Sequence, residues 1–389
     1  MKKRNAKVFA LFMSVAMAMP NVAAAMPVYA APEFEDEADF GDKFEEEFEA
    51  EAEEEVEAED TTNADEEIAE ETEDVEVVTI SRGECGTVSE ENTKITWELD
   101  DDGVLAIHAT GKNQYMKDYS EANPAPWYDI REKITSVEVS GDIQNIGEYA
   151  FYDCKNLKTV ELSYTIKLID EFAFAECSAL EKVTYDEPAK VCVERYGKAS
   201  FMNCTSLKQM DISQRVRYID DFTFYNCVKF VPSNMETLPN TLTWIGEGAF
   251  WNCQSITKVV IPYSVTYIGG GFSGKNYTAT WSDKVYNTSD DATNVDGIVD
   301  KWGAFAGCTG LTSVQFVNYL VEDDSTADGV RLAGVQYIGD FAFYGCTSLG
   351  SVTLPATMAE LGDYVFADCT GLTEATIEDS DLERLYGTF

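Results

Sequence analysis

From about residue 134 onward, apolar positions recur in one fixed arrangement. Eight phenylalanines (Phe151, Phe174, Phe201, Phe224, Phe250, Phe305, Phe343 and Phe366) each precede a cysteine by three residues. The cysteines are Cys154, Cys177, Cys204, Cys227, Cys253, Cys308, Cys346 and Cys369. Three residues after each stands a large apolar residue: Leu157, Leu180, Leu207, Phe230, Ile256, Leu311, Leu349 and Leu372. The cysteine spacings are 23, 27, 23, 26, 55, 38 and 23, so the base period is 23 and the longer gaps are insertions. A fixed period of this length marks a repeat architecture. A short alternating segment follows each unit's turn, as in Leu157-x-x-Val160-x-Leu162, Val259-Val260-Ile261-Pro262, Val314-Gln315-Phe316 and Val352-Thr353-Leu354-Pro355. Alternation over so few residues predicts one short strand per coil, and proline after it ends the ladder. No unit buries its apolar face alone, so the units must stack around a shared core. The expected fold is an α/β solenoid with one short parallel strand per coil and an irregular or helical return. Counting the strand-like segment 134–139 gives nine strands, a sheet roughly 40 Å long at strand spacing.

The Ile-Gly-x-x-Ala-Phe-x-x-Cys-x-x-Leu segments at 146–157, 245–256 and 338–349 resemble the BspA-like, Treponema-type leucine-rich repeat family. Upstream, Gly83-Glu84-Cys85-Gly86, Trp97-Glu98-Leu99, Asp102-Gly103-Val104-Leu105 and Pro126-Trp127-Tyr128 look like the β-rich N-terminal cap of such proteins. The resemblance covers residues 80–389. The third unit departs from the pattern with Ser200 in place of alanine, and the fourth has a degenerate strand around Phe230-Val231-Pro232. The expected domains are a signal peptide at 1–30, an acidic disordered linker at 31–79, the cap at 80–133 and the repeat solenoid at 134–389. Insertions fall near 270–301 and 318–334. Leu385-Tyr386-Gly387-Thr388-Phe389 fits the start of a ninth repeat, and the natural chain is expected to continue beyond it.

Charge sharpens the picture at the N-terminal side. Lys2, Lys3, Arg4 and Lys7 precede an apolar run and then Val28-Tyr29-Ala30, the pattern of a secretory signal cleaved after Ala30. The apolar run is too short to span a bilayer. Residues 33–78 hold 25 acids and one base, Lys43. Such like-charge density cannot collapse onto a core. The whole chain of 389 residues carries a formal charge of −43, which argues against nucleic acid and anionic membranes as partners.

Little in the sequence points to catalysis. The single histidine, His108, lies on a cap strand with no partner motif. No cysteine pair has Cys-x-x-Cys spacing, and eight cysteines share one repeat position, so buried free thiols are expected. Cys85 and Cys192 lie off register, and a bond between them stays open. Asn294-x-Asp296-Gly297 resembles part of a calcium loop, but Ala292 stands where its first aspartate belongs. No metal or cofactor is therefore expected.

Two candidate surfaces remain for binding a partner. One is the row of outward strand positions Glu138, Glu161, Thr184, Asp211, Val260, Gln315, Thr353 and Thr376. The other is the 270–301 insertion with Tyr277, Trp281 and Tyr286; the second insertion, 318–334, reads as a solvated loop. The resemblance implies a non-enzymatic, secreted or cell-surface adhesin that recognises an extracellular protein or glycan. The competing readings are a positioning module for an extracellular enzyme and a self-assembling component of the cell envelope.

Overall fold

The computed structural model describes residues 7–8, 79–87, 94–269, 302–322 and 330–378. The expected cleavage site, the acidic linker, the 270–301 insertion with Tyr277, Trp281 and Tyr286, the calcium-like segment and the ninth-repeat start lie outside the described residues.

The cap begins the sheet that the repeats continue. Lys94–Asp100 pairs antiparallel with Thr79–Glu84 on one side and with Val104–Thr110 on the other. Ser136–Ser140, Thr159–Leu162 and Lys182–Tyr185 then add in parallel. Alternation sends Ile95, Trp97 and Leu99 inward, then Leu105 and Ile107, Val137 and Val139, Val160 and Leu162, and Val183 and Tyr185. Cap and first repeats thus share one pleated surface and one core.

This sheet does not run unbroken through all the repeats. Lys258–Ile261 pairs with Ser313–Phe316, and Ser351–Leu354 with Glu374–Ile377, as separate ladders. Lys7–Val8 lies antiparallel against Ala375 and Thr376. The gap between Lys182–Tyr185 and Lys258–Ile261 has a local cause. Pro232 supplies no N–H to a ladder, and the chain turns there instead. Asn234 fills the place of the missing strand: its Oδ1 accepts from the Ile212 amide at 3.0 Å, and its Nδ2 donates to the Ile212 carbonyl at 2.6 Å. A side-chain amide has here taken over the donor and acceptor of a backbone peptide.

A second sheet is continuous. Eight two-residue strands, from Asn145–Ile146 to Glu360–Leu361, stack in parallel, and Tyr267–Ile268 pairs directly with Tyr337–Ile338 across both insertions. Most coils therefore carry two strands, a longer one of four or five residues and a two-residue one. The units around Asp211 and Pro232 keep only the short strand, so seven of the nine expected longer strands form among the described residues. Among the described residues the return contains no α-helix. It is a staircase of turns, shown in the first unit by bonds from the amides of Ala150, Tyr152, Cys154 and Leu157 to the carbonyls of Gly147, Tyr149, Phe151 and Cys154. Glycine after the isoleucine lets neighbouring coils touch: a Cβ on Gly147 would lie 2.0 Å from the Lys117 carbonyl oxygen.

Two columns fill the interior. The phenylalanine rings stack face to face, with centroids 4.9 Å apart for Phe151 and Phe174 and 5.3 Å for Phe305 and Phe343. Trp127 starts the column, 5.5 Å from Phe151, and its Nε1–H donates to the Ala150 carbonyl at 2.7 Å. Burying each such ring is worth about 2–3 kcal/mol, and offset stacking adds roughly 1 kcal/mol. Beside it run the cysteines, every one a buried free thiol. From Cys177 to Cys369, each thiol donates to the phenylalanine carbonyl of the preceding coil at 3.1–3.2 Å.

Candidate interaction surfaces

The outward strand positions form three groups, not one row. Glu138 and Glu161 are exposed and in direct register, flanked by Ala106 and Thr184. Two like charges on neighbouring rungs disfavour the isolated sheet. Thr184 is half-buried, with its hydroxyl 3.4 Å from the Val160 carbonyl. Asp211 is exposed but lies outside any strand, because the ladder fails at that unit. Its carboxylate instead accepts from the Ser233 amide at 3.1 Å and hydroxyl at 2.7 Å, fixing the following turn. Val260 pairs with Gln315, and Thr353 with Thr376, on the two later ladders. A partner spanning all eight residues would therefore have to cross two breaks in the sheet.

The second insertion differs from the expected solvated loop. It folds as an antiparallel hairpin, Tyr319–Glu322 against Val330–Ala333. Leu320 faces Leu332 across the pair, and both are exposed, Leu320 at 62%. Tyr319 and Val330 are exposed too, and Tyr319 leans on Tyr263 with centroids 5.2 Å apart. The acidic run at 322–324 has the composition of a loop, whereas the Tyr319-Leu320-Val321 run before it favours a strand. Large apolar side chains grouped on a projecting hairpin are unusual for a surface with no partner.

The continuous sheet carries a third feature that the repeat pattern did not announce. The first residues of four successive short strands are Tyr218, Trp244, Tyr267 and Tyr337, all in register. Trp244 and Tyr267 stack at 3.9 Å, while Tyr218 and Tyr337 stay exposed. Trp244 and Tyr267 thus each spend one ring face on the other.

The remaining chemistry is sparse. His108 is exposed, with Nδ1 3.0 Å from the Ser140 hydroxyl on the next rung. Cys85 and Cys192 are separate free thiols, with Cys85 buried and Cys192 half-buried. Burial pushes the thiols of Cys85 and Cys308 up to about 12. It also raises those of Cys204 and Cys253. Thiols held neutral in this way are poor nucleophiles and metal ligands. Among the described residues no group of three histidine, cysteine or acidic side chains could hold a metal ion.

Two stacked strands per coil, a phenylalanine column and a thiol column define a leucine-rich repeat solenoid. The model for the BspA type leucine rich repeat region matches in six copies over residues 127–236, 195–278 and 330–387. The chain belongs to the BspA-type leucine-rich repeat family. It is similar to a solved leucine-rich repeat protein from Eubacterium ventriosum, at 18% identity over 76% of this chain and 84% of that one, with a TM-score of 0.29. It is also similar to the leucine-rich repeat protein of T. pallidum, at 19% identity over 57% of this chain and 78% of that one, with a TM-score of 0.33. A leucine rich cell surface protein from Faecalibacterium prausnitzii is 16% identical over 76% of this chain and 95% of its own, with a TM-score of 0.23. No curated protein matches the sequence.

Proposed function

We propose that this protein is a secreted or cell-surface binding module without catalytic activity, which recognises an extracellular protein or surface glycan through its strand face and insertions. In this reading residues 1–30 direct export and are removed, which would leave the edge at Ala375 and Thr376 without its pairing to Lys7–Val8. The acidic segment 31–79 holds the cap and solenoid away from the surface. Membership of a repeat family whose coils present extended surfaces supports the reading. Among the described residues no helix is long and apolar enough to cross a membrane. The observation that carries the proposal is the hairpin face on which Leu320, Val330 and Leu332 are exposed together.

The test is a titration of the full chain against extracellular-matrix proteins and bacterial surface glycans. Replacing Leu320 and Leu332 by serine should leave thermal stability nearly unchanged, because both are exposed. It should weaken binding by about tenfold or more if the pair anchors the partner. Charge reversal at Glu138 and Glu161 separates a contribution of the strand face. Absence of saturable binding to every candidate would remove this reading.

A further inference from the structure

Where the cap meets the first repeat, Ser120, Glu121, Pro124, Tyr128, Tyr149 and Tyr152 enclose a notch of about 150 Å³. Its walls are set by three local structures. Ser120 and Asn123 close a tight turn through reciprocal backbone bonds of 3.0 and 3.1 Å, which carries Glu121 at its tip. Tyr128 opens the short 3-10 helix Tyr128–Lys133. Tyr149 is held with φ of 54°, and its ring is stacked on Phe172 at 4.8 Å. The Tyr152 ring stands 5.4 Å from Tyr149 at 57°, so the two rings make a corner.

The charges around Tyr149 and Glu148 are acidic, while Arg131 lies against the Tyr128 wall. Burial and then the anions Glu121, Glu171 and Glu148, together with Tyr152, push the Tyr149 phenol up to about 12. Burial and then Asp118, Glu171 and Asp170 raise the Glu148 carboxyl. Each charged side chain acting on these two groups is acidic. Nearby, a cation already uses a ring in the way the notch invites. The Arg131 guanidinium lies 3.9 Å from the centre of the Tyr128 ring, tied back by Asp153 at 3.2 Å and by the Tyr128 carbonyl at 2.8 Å.

We propose that the notch is a subsite for one cationic side chain, lysine or arginine, presented by a partner polypeptide. The corner made by the Tyr149 and Tyr152 rings supplies cation–π attraction, since Tyr128 is already engaged by Arg131. Glu121 supplies a charge-assisted hydrogen bond at the rim. The volume is well below the roughly 300–1,000 Å³ of a drug-sized ligand site, so it suits a side-chain head and not a larger molecule. A neutral sugar would leave the surplus negative potential unbalanced. The notch is separate from the strand face and the hairpin, so either proposal can fail without the other.

The experiment uses the full chain with isotope-labelled tyrosine rings, followed by NMR. Three probes are titrated: a blocked Gly-Lys-Gly peptide, its arginine counterpart, and the lysine peptide acetylated on Nε. The expected result is a saturable shift confined to Tyr128, Tyr149 and Tyr152. Acetylation should weaken it about tenfold, as removal of the charge removes both attractions. Glu121→Gln, on an exposed turn that folds regardless, and Tyr152→Leu should each weaken it several-fold. Glu374→Gln, at the other end of the solenoid, should not. Equal shifts with the acetylated peptide, shifts of the same size at Tyr218 and Tyr337, or insensitivity to Glu121→Gln would each overturn the proposal.

Discussion

The thiol of Cys227 donates to the carbonyl oxygen of Phe201 at 3.1 Å, while that oxygen also accepts the amide of Cys204 at 3.1 Å. Both lone pairs of a buried carbonyl are thereby used, one within its coil and one by the next. The repeated cysteine is a small apolar filler that also carries a donor, and serves here as a coil-to-coil tie.

Cys227→Ala removes the tie and leaves a small void. It is expected to cost about 1–3 kcal/mol. Cys192→Ala, at a half-buried position off the column, should stay within about 0.5 kcal/mol of the parent. Urea denaturation of the two variants measures the difference, and equal midpoints would remove the structural role assigned to the column.

Alkaline pH should weaken the fold through the same thiols. Burial pushes Cys85 and Cys308 from 9.0 up to about 12. Between these values the unfolded chain has lost those protons and the folded chain still holds them. The unfolded state then binds fewer protons, so stability falls as pH rises from about 9 toward 12 and is unaffected by these groups below that window. A thiol reagent applied at pH 8 should label Cys192 first and reach the column only as fast as the protein unfolds. Rapid labelling of the whole column in folded protein would contradict the burial described.

Asn226 offers a test of backbone conformation. It sits at φ of 60°, donates to Asn203 Oδ1 at 2.9 Å and accepts from Asn252 at 2.7 Å. Asn203 in turn donates to Glu176 at 2.6 Å, so a line of amides ends on a carboxylate. Asn226→Gly loses the side-chain bonds but keeps the left-handed turn; Asn226→Ala loses both, adding roughly 1–2 kcal/mol. The glycine variant should therefore be the more stable of the two in thermal melts, the reverse of the usual order in strands and helices.

The repeat register, the buried phenylalanine and cysteine positions and most of the longer strands could be read from the sequence, because they recur on a base period of 23 with insertions and declare themselves by self-similarity. The strands expected at Asp211 and at Phe230-Val231-Pro232 do not form. The second strand of each coil could not. A two-residue strand such as Tyr218–Ile219 has no alternation to detect. The left-handed backbone at Tyr149, Phe172 and Phe222 was equally hidden, since large aromatic residues seldom adopt it. Here stacking against the neighbouring coil outweighs the local preference. Asp211 holds the repeat position of a strand residue but lies outside any strand, the parallel pairing there ending at the Lys182–Gln209 bridge.

Cys308 follows Cys253 by 55 residues, yet it meets Phe250 as the other column cysteines from Cys177 onward meet their own partners. Past the insertion the Ala304 amide returns to the Gly269 carbonyl at 3.0 Å, so the detour starts and ends on adjacent rungs. Contour length and coil register are therefore independent at this point. Segments here can lengthen, shorten or be exchanged while the scaffold keeps its geometry. The joint between Gly269 and Trp302 thus admits extra chain without redesign of the core beneath it.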